Sequence, residues 1–290
     1  MPVAEANGIE ICYEAFGDAG APTMLLVPGL GSQMISFDRD LCERLAACGY
    51  HVVRFDNRDV GLSSRIDGHV DVRAVMRAAA SGAAPAVPYL LSDMAADVVG
   101  LLDHLGVGRA HVVGVSMGGM IAQTVAVEHP QRLRSLTSIM SSTGDPDVGT
   151  PSSEASAALF GPPPRTRAAY QDAAVRHAAI WGSPGIYDED RLRRIAGEAW
   201  DRGYDPHGTA RQMAAILASG SRSAALAGID VPTLVVHGTV DRLVHHSGGE
   251  RTAAVVPGAR LMLVDGMGHD LAPPLWPRLV DAVAAHAGPH

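Results

Sequence analysis

The segment His111–Gln123, HVVGVSMGGMIAQ, places a single serine between strand-forming residues and a helix-like pattern that begins at Met117. Glycines stand two positions before and two positions after this serine, at Gly114 and Gly118. A sharp turn from strand to helix crowds the backbone, so both positions favour a residue without a side chain. We therefore expect Ser116 to present its hydroxyl at a helix N-terminus, where unpaired backbone N–H groups can bind an anion.

Short apolar runs alternate with helix-like patterns along much of the chain. An Asn-Gly pair at 7–8 predicts a tight antiparallel hairpin. The apolar runs suit strands buried on both faces, as in parallel sheets. The pattern predicts an α/β fold with a mostly parallel sheet, an N-terminal antiparallel hairpin and helices on both faces. The predicted strands are 23–29, 51–56, 110–115, 134–140, 232–238 and 259–265, and the predicted helices include 37–49, 89–107 and 117–130.

Residues 141–228 interrupt this alternation with helix-like segments and no convincing strand. We interpret this segment, called the cap below, as a helical insertion between two parts of one core, 1–140 and 229–290. A separate helical domain is the alternative. We expect the cap to control which substrates fit.

Composition excludes several classes of protein. The formal net charge of −8 gives no general attraction to nucleic acid. No apolar run approaches the roughly 20 residues that span a bilayer, and the N-terminus lacks a secretory signal pattern, so we expect a cytoplasmic protein. Three cysteines are too few and too unevenly placed for a disulfide framework. No cluster of ligand residues indicates a metal, and we expect no cofactor.

Two loops that follow predicted strands supply partners for Ser116. A serine hydroxyl needs a base within hydrogen-bond reach, and the base needs an orienting acid. Asp241 follows the strand at 232–238, and His269 follows the strand at 259–265. Because sites in open α/β sheets form at the carboxyl ends of the strands, these residues are candidates for acid and base. Asp145, which also follows a strand, is the rival acid.

The motifs LLVPGLG (25–31), RFDNRDVGLSS (54–64), GVSMGGM (114–120), HGTVDRLV (237–244) and GMGHDL (266–271) follow one another along the chain. In this order they resemble the α/β-hydrolase-fold serine esterase and lipase family. The resemblance is greatest to the actinobacterial esterase group that includes aclacinomycin methylesterase. It covers nearly the whole chain and implies the α/β-hydrolase fold with a helical cap.

The resemblance also implies a reaction. Members hydrolyse carboxylic esters without a metal through an acyl-enzyme, here formed on Ser116 with His269 and Asp241, and thioesters are an alternative substrate. The oxyanion hole would consist of the backbone N–H groups of Leu30 and Met117. This chain has a proline before Gly29 where the family commonly has histidine, which leaves the backbone donor in place. The expected partner is a small-molecule ester.

Other activities remain open. Lactonases, C–C bond hydrolases and cofactor-free perhydrolases of this fold keep the same triad, whereas dehalogenases and epoxide hydrolases place an aspartate where this chain has Ser116. If the chain were a non-catalytic binding protein with this fold, we would expect one member of the triad to be missing, but all three are present. The sequence does not specify the acyl group, the alcohol or the oligomeric state.

Other residues near the predicted site are interpreted as substrate contacts or as structural residues. Met34 and Met267 lie in the site loops and are our candidates for contact with an apolar substrate, because methionine adapts to irregular shapes. Asp56, Arg58 and Ser63 are expected to fasten the loop after a strand by hydrogen bonds. The histidines close to Asp241 are expected to be structural or solvated; they are His237, His245 and His246.

Overall fold

The computed structural model describes residues 1–288. Within them the chain forms one eight-stranded sheet with the spatial order β1-β2-β4-β3-β5-β6-β7-β8. Strands β3 to β8 pair in parallel, whereas β2 is antiparallel to both β1 and β4. The strands are β1 Val3–Ala6, β2 Ile9–Phe16, β3 Thr23–Val27, β4 His51–Phe55, β5 Ala110–Val115, β6 Leu133–Ile139, β7 Thr233–Gly238 and β8 Arg260–Val264.

The N-terminal hairpin turns at Asn7 and Gly8, whose φ angles are 50° and 76°. Asparagine and glycine tolerate these left-handed angles better than other residues, which explains why the chain reverses there. Every residue of β3 and β4 is buried, as expected for strands covered on both faces. The predicted sheet and its antiparallel N-terminal hairpin are confirmed.

Helices cover both faces of the sheet. Among the described residues they are α1 Arg39–Ala47, α2 Val72–Ala80, α3 Leu91–His104, α4 Met117–Glu128, α5 Ser153–Leu159, α6 Arg167–Trp181, α7 Glu189–Gly203, α8 Pro206–Ser219, α9 Ser223–Leu226, α10 Ser247–Val255 and α11 Trp276–Ala287, with 3₁₀ turns at Met34–Ser36, Pro130–Arg132 and Pro273–Leu275. None of these helices combines the length and apolarity needed to cross a membrane.

The two faces of β3 show how the core is divided. Leu25 and Val27 pack into a cluster that also contains residues of α3 and α4. Met24 and Leu26, which alternate with them along the strand, pack into a second cluster with residues of α1 and α11. Since successive side chains of a strand point to opposite faces, the sheet carries one apolar layer on each side.

The described chain between β6 and β7 contains five helices, α5 to α9, and no strand. The predicted helical insertion is therefore confirmed, while its exact limits as a domain, 141 and 228, stay a prediction. The helices outside it that were not predicted include α2, which precedes the predicted helix at 89–107 and packs against α8 of the cap.

Buried ion pairs fasten the cap to the loop after β4. The Asp59 carboxylate lies 2.7 Å from the Arg211 guanidinium on α8, and the Asp56 carboxylate lies 2.6 Å from Arg202 on α7. Both aspartates are 0% exposed. Asp56 also accepts the Met34 backbone N–H at 2.7 Å. Hydrogen bonds thus fix the loop after β4, as the sequence analysis expected, and ion pairs from the same loop bind two cap helices.

We predict that Asp59→Asn lowers the free energy of unfolding by about 3 kcal/mol or more, because it leaves the buried Arg211 cation without its closest partner. Asparagine tolerates the positive φ of 74° at this position, so backbone strain would not explain the loss of stability. Urea unfolding measures the change.

The matched control is Asp201→Asn. Its carboxylate pairs with Arg167 across exposed surface, with side-chain exposures of 58% and 48%, so the loss should stay below about 1 kcal/mol. Equal losses in the two variants would contradict a special role for the buried pair.

Candidate active site

Ser116 occupies the turn between β5 and α4 with φ 56° and ψ −120°. A non-glycine residue in such a conformation costs about 1 to 3 kcal/mol and persists only where its surroundings enforce it. The Ser116 N–H donates to the Ile139 carbonyl at 2.9 Å, and the Ser141 hydroxyl donates to the Ser116 carbonyl at 2.8 Å. Strand β6 and the residues after it therefore hold this strained backbone in place.

Glycines permit the close packing around Ser116. A Cβ added at Gly114 would collide with the Gly118 carbonyl, and one added at Gly118 would collide with the Val27 carbonyl at the end of β3. A Cβ at Gly29 would lie 3.3 Å from the Ser116 Cβ. The turn predicted from the sequence is thus present, and the loop after β3 lies directly against the serine.

The structure brings Ser116, His269 and Asp241 into one chain of hydrogen bonds. His269 Nε2 lies 3.0 Å from Ser116 Oγ, and His269 Nδ1 lies 2.7 Å from Asp241 Oδ2. The Asp241 side chain is 0% exposed and that of His269 is 8% exposed. Because a carboxylate only accepts, Nδ1 carries a proton toward Asp241, and Nε2 is free to accept the proton of the Ser116 hydroxyl.

Asp241 is held on both of its oxygens. Oδ1 accepts the backbone N–H groups of Leu243 and Val244, each at 2.9 Å, while Oδ2 faces His269. Burial raises the pKa of Asp241, but the electrostatic attraction of His269 and the hydrogen bonds from His237 and His269 outweigh that effect. The pKa therefore lies well below its usual range, and the carboxyl is ionised at neutral pH.

His237 lies next to Asp241, a contact that the sequence analysis did not predict. The ring is 0% exposed on β7, and its Nε2 lies 2.8 Å from the Val244 carbonyl and 3.4 Å from Asp241 Oδ2. Nε2 therefore donates to the loop that carries Asp241. The available signal was its place in the apolar run of a buried parallel strand, which predicts burial but not the partner.

The loop that carries Leu30 is fixed on both sides. The Asn57 amide donates to the Pro28 carbonyl at 3.1 Å, and Gln212 on α8 accepts the Gly31 N–H at 2.8 Å. Met117 is the first residue of α4, so its N–H has no acceptor within the helix. These placements are compatible with the predicted oxyanion hole, which stays a prediction.

Met34 and Met267 have a different environment from the one expected. Both are 0% exposed, which leaves no surface for a substrate to touch in this conformation. Met34 packs with Cys12 and Ile35, and Met267 packs in the cluster between the sheet and α11. Their thioethers fill gaps in the core, and the predicted substrate contact would require that core to open.

Asp145 has other partners than the histidine. Its carboxylate accepts hydrogen bonds from the hydroxyls of Ser221 and Ser223, the latter at 2.7 Å, and it lies 2.6 Å from the Arg251 guanidinium. Burial raises the pKa of Asp145, but these hydrogen bonds outweigh that effect and lower the pKa to about 2. Asp145 thus ties the start of the cap to α9 and α10, while His269 faces Asp241.

In the part of the chain that the structure describes, no three His, Cys, Asp or Glu side chains are grouped so that they could hold a metal ion.

A family model described as the alpha/beta hydrolase fold matches residues 22–272. The chain belongs to this family. Among curated proteins of the family, it is 29% identical to rhodomycin D methylesterase DauP of Streptomyces sp. (strain C5), over 96% of this chain and 95% of that protein. It is 28% identical to rhodomycin D methylesterase DnrP of Streptomyces peucetius, over 99% and 98%.

Solved structures in the family include a hydrolase from Pseudomonas aeruginosa PA01. It superposes with a TM-score of 0.75 at 26% sequence identity and covers 99% of this chain and 98% of its own. The family match over residues 22–272 and the similarity along nearly the full length of both chains, cap included, confirm the predicted fold class and the family suggested by the motifs.

The position of Asp145 generates a prediction about stability and pH. Because its folded pKa of about 2 lies below the ordinary value of about 3.9, the ionised carboxyl stabilises the folded state above that ordinary value. This contribution is lost as the pH falls toward the folded pKa. Asp145→Asn should therefore be less stable than wild type at pH 6, and the difference should shrink by about pH 3.

Urea unfolding of wild type and variant across this range measures the difference. Asp190→Asn, in the first turn of α7, serves as a control for removing a negative charge. A difference for Asp145→Asn that stays constant down to the lowest pH would contradict the prediction.

Proposed function

We propose that this protein is a carboxylic ester hydrolase that acts on small molecules through an acyl-enzyme on Ser116. The observation that carries the proposal is the continuous hydrogen-bond chain from the Ser116 hydroxyl through His269 to the buried Asp241. The similarity to two methylesterases along nearly the complete chain supports the same reaction type. The protein is accordingly an enzyme, with Ser116 as nucleophile, His269 as base and Asp241 as acid.

The first half of the reaction forms the acyl-enzyme. His269 Nε2 takes the hydroxyl proton as Ser116 Oγ attacks the ester carbonyl, which gives a tetrahedral intermediate. Its oxyanion would accept hydrogen bonds from the Leu30 and Met117 backbone N–H groups. Asp241 stabilises the imidazolium that forms. The intermediate collapses when the C–O bond to the alcohol breaks and His269 donates its proton to the departing oxygen.

The second half uses water in place of the serine. His269 removes a proton from water as the water oxygen attacks the acyl carbonyl, and the bond to Ser116 Oγ then breaks. The proton returns to Oγ, and the products are a carboxylic acid and an alcohol. This sequence consumes one water and requires no metal or cofactor.

The substrate proposed from the relatives is a methyl ester on a larger molecule. Cleavage of thioesters, lactones and C–C bonds, like the formation of peracids, would use the same nucleophile. The panel that tests the proposal should therefore contain a substrate for each of these reactions besides aryl and methyl esters. The cytoplasmic location and the control of substrate size by the cap also stay predictions.

Ser116→Ala should abolish ester hydrolysis and labelling by a fluorophosphonate probe, because the substitution removes the only proposed nucleophile without adding bulk. Circular dichroism and thermal unfolding should change little. The matched control is Ser142→Ala, a nearby buried serine whose hydroxyl accepts the Gly144 N–H, and it should keep both activities.

Turnover near the wild-type rate in folded Ser116→Ala would refute the assignment of the nucleophile. If wild type reacted with the probe but hydrolysed nothing in the panel, the nucleophile would stand and the ester substrate would be wrong.

The acid is tested by comparing two aspartates. Asp241→Asn should lower kcat by about 10⁴-fold, as loss of the orienting carboxylate does in serine proteases, since His269 then adopts the wrong tautomer. Asp145→Asn should cost about tenfold or less, because it only fastens the cap. Both are measured at saturating substrate, with folding checked by circular dichroism. A larger loss in Asp145→Asn would reassign the acid.

A further inference from the structure

The cap and the loop that carries His269 are in contact through one three-residue segment of each. One is Trp181–Gly182–Ser183, where α6 ends, and the other is Gly268–His269–Asp270, which follows β8. Ser183 is 0% exposed, although nothing in its sequence context distinguishes it from other serines of the cap. Its contacts, rather than its sequence, indicate what it does.

Four hydrogen bonds join these segments. The His269 N–H donates to the Trp181 carbonyl at 2.6 Å, and the Gly268 N–H donates to Ser183 Oγ at 2.9 Å. In the opposite direction, the Ser183 hydroxyl donates to Asp270 Oδ1 at 2.7 Å and the Ser183 N–H donates to Asp270 Oδ2 at 2.6 Å. The backbone N–H groups of Gly268 and His269 and the side chain of Asp270 are therefore bonded to the cap.

Glycines bring the two segments into direct contact. A Cβ added at Gly268 would collide with the Gly182 carbonyl carbon, and one added at Gly182 would lie 2.8 Å from Asp270 Oδ2. The Ser183 hydroxyl uses its single proton for Asp270 and a lone pair for Gly268, so it is satisfied while buried. Removing it would leave the buried Gly268 N–H without that acceptor, which destabilises the contact between the two segments.

We propose that Ser183 and Asp270 are positioning residues for His269, through which the cap sets the geometry of the catalytic base. The proposal rests on the proposed function, since it assigns His269 as the base. Neither residue touches the reacting atoms. They act on the backbone from which the imidazole must reach Ser116 Oγ on one side and Asp241 on the other.

The physical reason is the sensitivity of proton transfer to distance. The base is required within hydrogen-bond reach of the serine, and a displacement of about 1 Å caused by a distant change can cost about 10²-fold in rate. Substrate binding depends much less on the imidazole position. Loosening the joint should therefore lower kcat and leave KM close to the wild-type value.

The experiment compares Ser183→Ala with Ser219→Ala. Ser219, on α8 of the cap, has a hydroxyl that also bridges two groups, because it accepts the Leu91 N–H at 3.0 Å and donates to the Ala215 carbonyl at 2.7 Å. Both variants lose the same type of cap hydrogen bonds, but only Ser183 contacts the His269 loop. They should lose similar thermal stability.

Ser183→Ala should lower kcat by about 10- to 100-fold with little change in KM, whereas Ser219→Ala should keep the wild-type kcat. Asp270→Ala, a second variant at a half-buried position, should behave like Ser183→Ala. Because the two residues share hydrogen bonds, the double variant should lose less than the product of the single effects. Wild-type kcat in folded Ser183→Ala or Asp270→Ala, or an equal loss in Ser219→Ala, would overturn the proposal.

Proton NMR provides a readout that does not need turnover. The proton that His269 Nδ1 shares with Asp241 should give a far-downfield resonance in wild type, and Ser183→Ala should shift or broaden it while Ser219→Ala leaves it unchanged. If wild type hydrolysed no ester and Ser116 resisted the probe, the proposed function would fail, and this resonance alone would decide the positioning role. An unchanged resonance in Ser183→Ala would refute it.

Discussion

The strained backbone of Ser116 is the constraint on which the rest of the site depends. A positive φ at a non-glycine residue persists only because β6 fixes its N–H and Ser141 fixes its carbonyl. The same turn requires glycines where β3, β5 and α4 meet, since added side chains would collide there with backbone atoms. One local conformation thus dictates the packing of two strands and a helix, and it exposes the hydroxyl to the loops at this edge of the sheet.

Opposite the serine, the buried charge of Asp241 imposes a second requirement. An ionised carboxyl away from water must be compensated by hydrogen bonds, and this one receives two backbone N–H groups, His269 and the more distant His237. These contacts keep it ionised and fix its direction. His269 consequently has one well-defined donor direction, and its other nitrogen is left facing Ser116.

The cap belongs to this arrangement as much as the sheet does. Buried ion pairs join it to the loop after β4, Gln212 accepts a hydrogen bond from the loop that carries Leu30, and the end of α6 is bonded to the loop that carries His269. An insertion attached at all three places cannot be replaced by a short linker without disturbing the loops that carry Leu30 and His269.

The sequence by itself determined what local patterns report: the alternation of buried strands and helices, the strand-to-helix turn at Ser116, and the loops that carry Asp241 and His269. Only the tertiary structure decided the contacts between distant residues. It paired His269 with Asp241 and engaged Asp145 with Arg251, it buried Met34 and Met267 in the core, and it joined Ser183 to Asp270. Periodicity and turn preferences depend on neighbours along the chain, whereas these choices depend on how helices and loops far apart in sequence pack against one sheet.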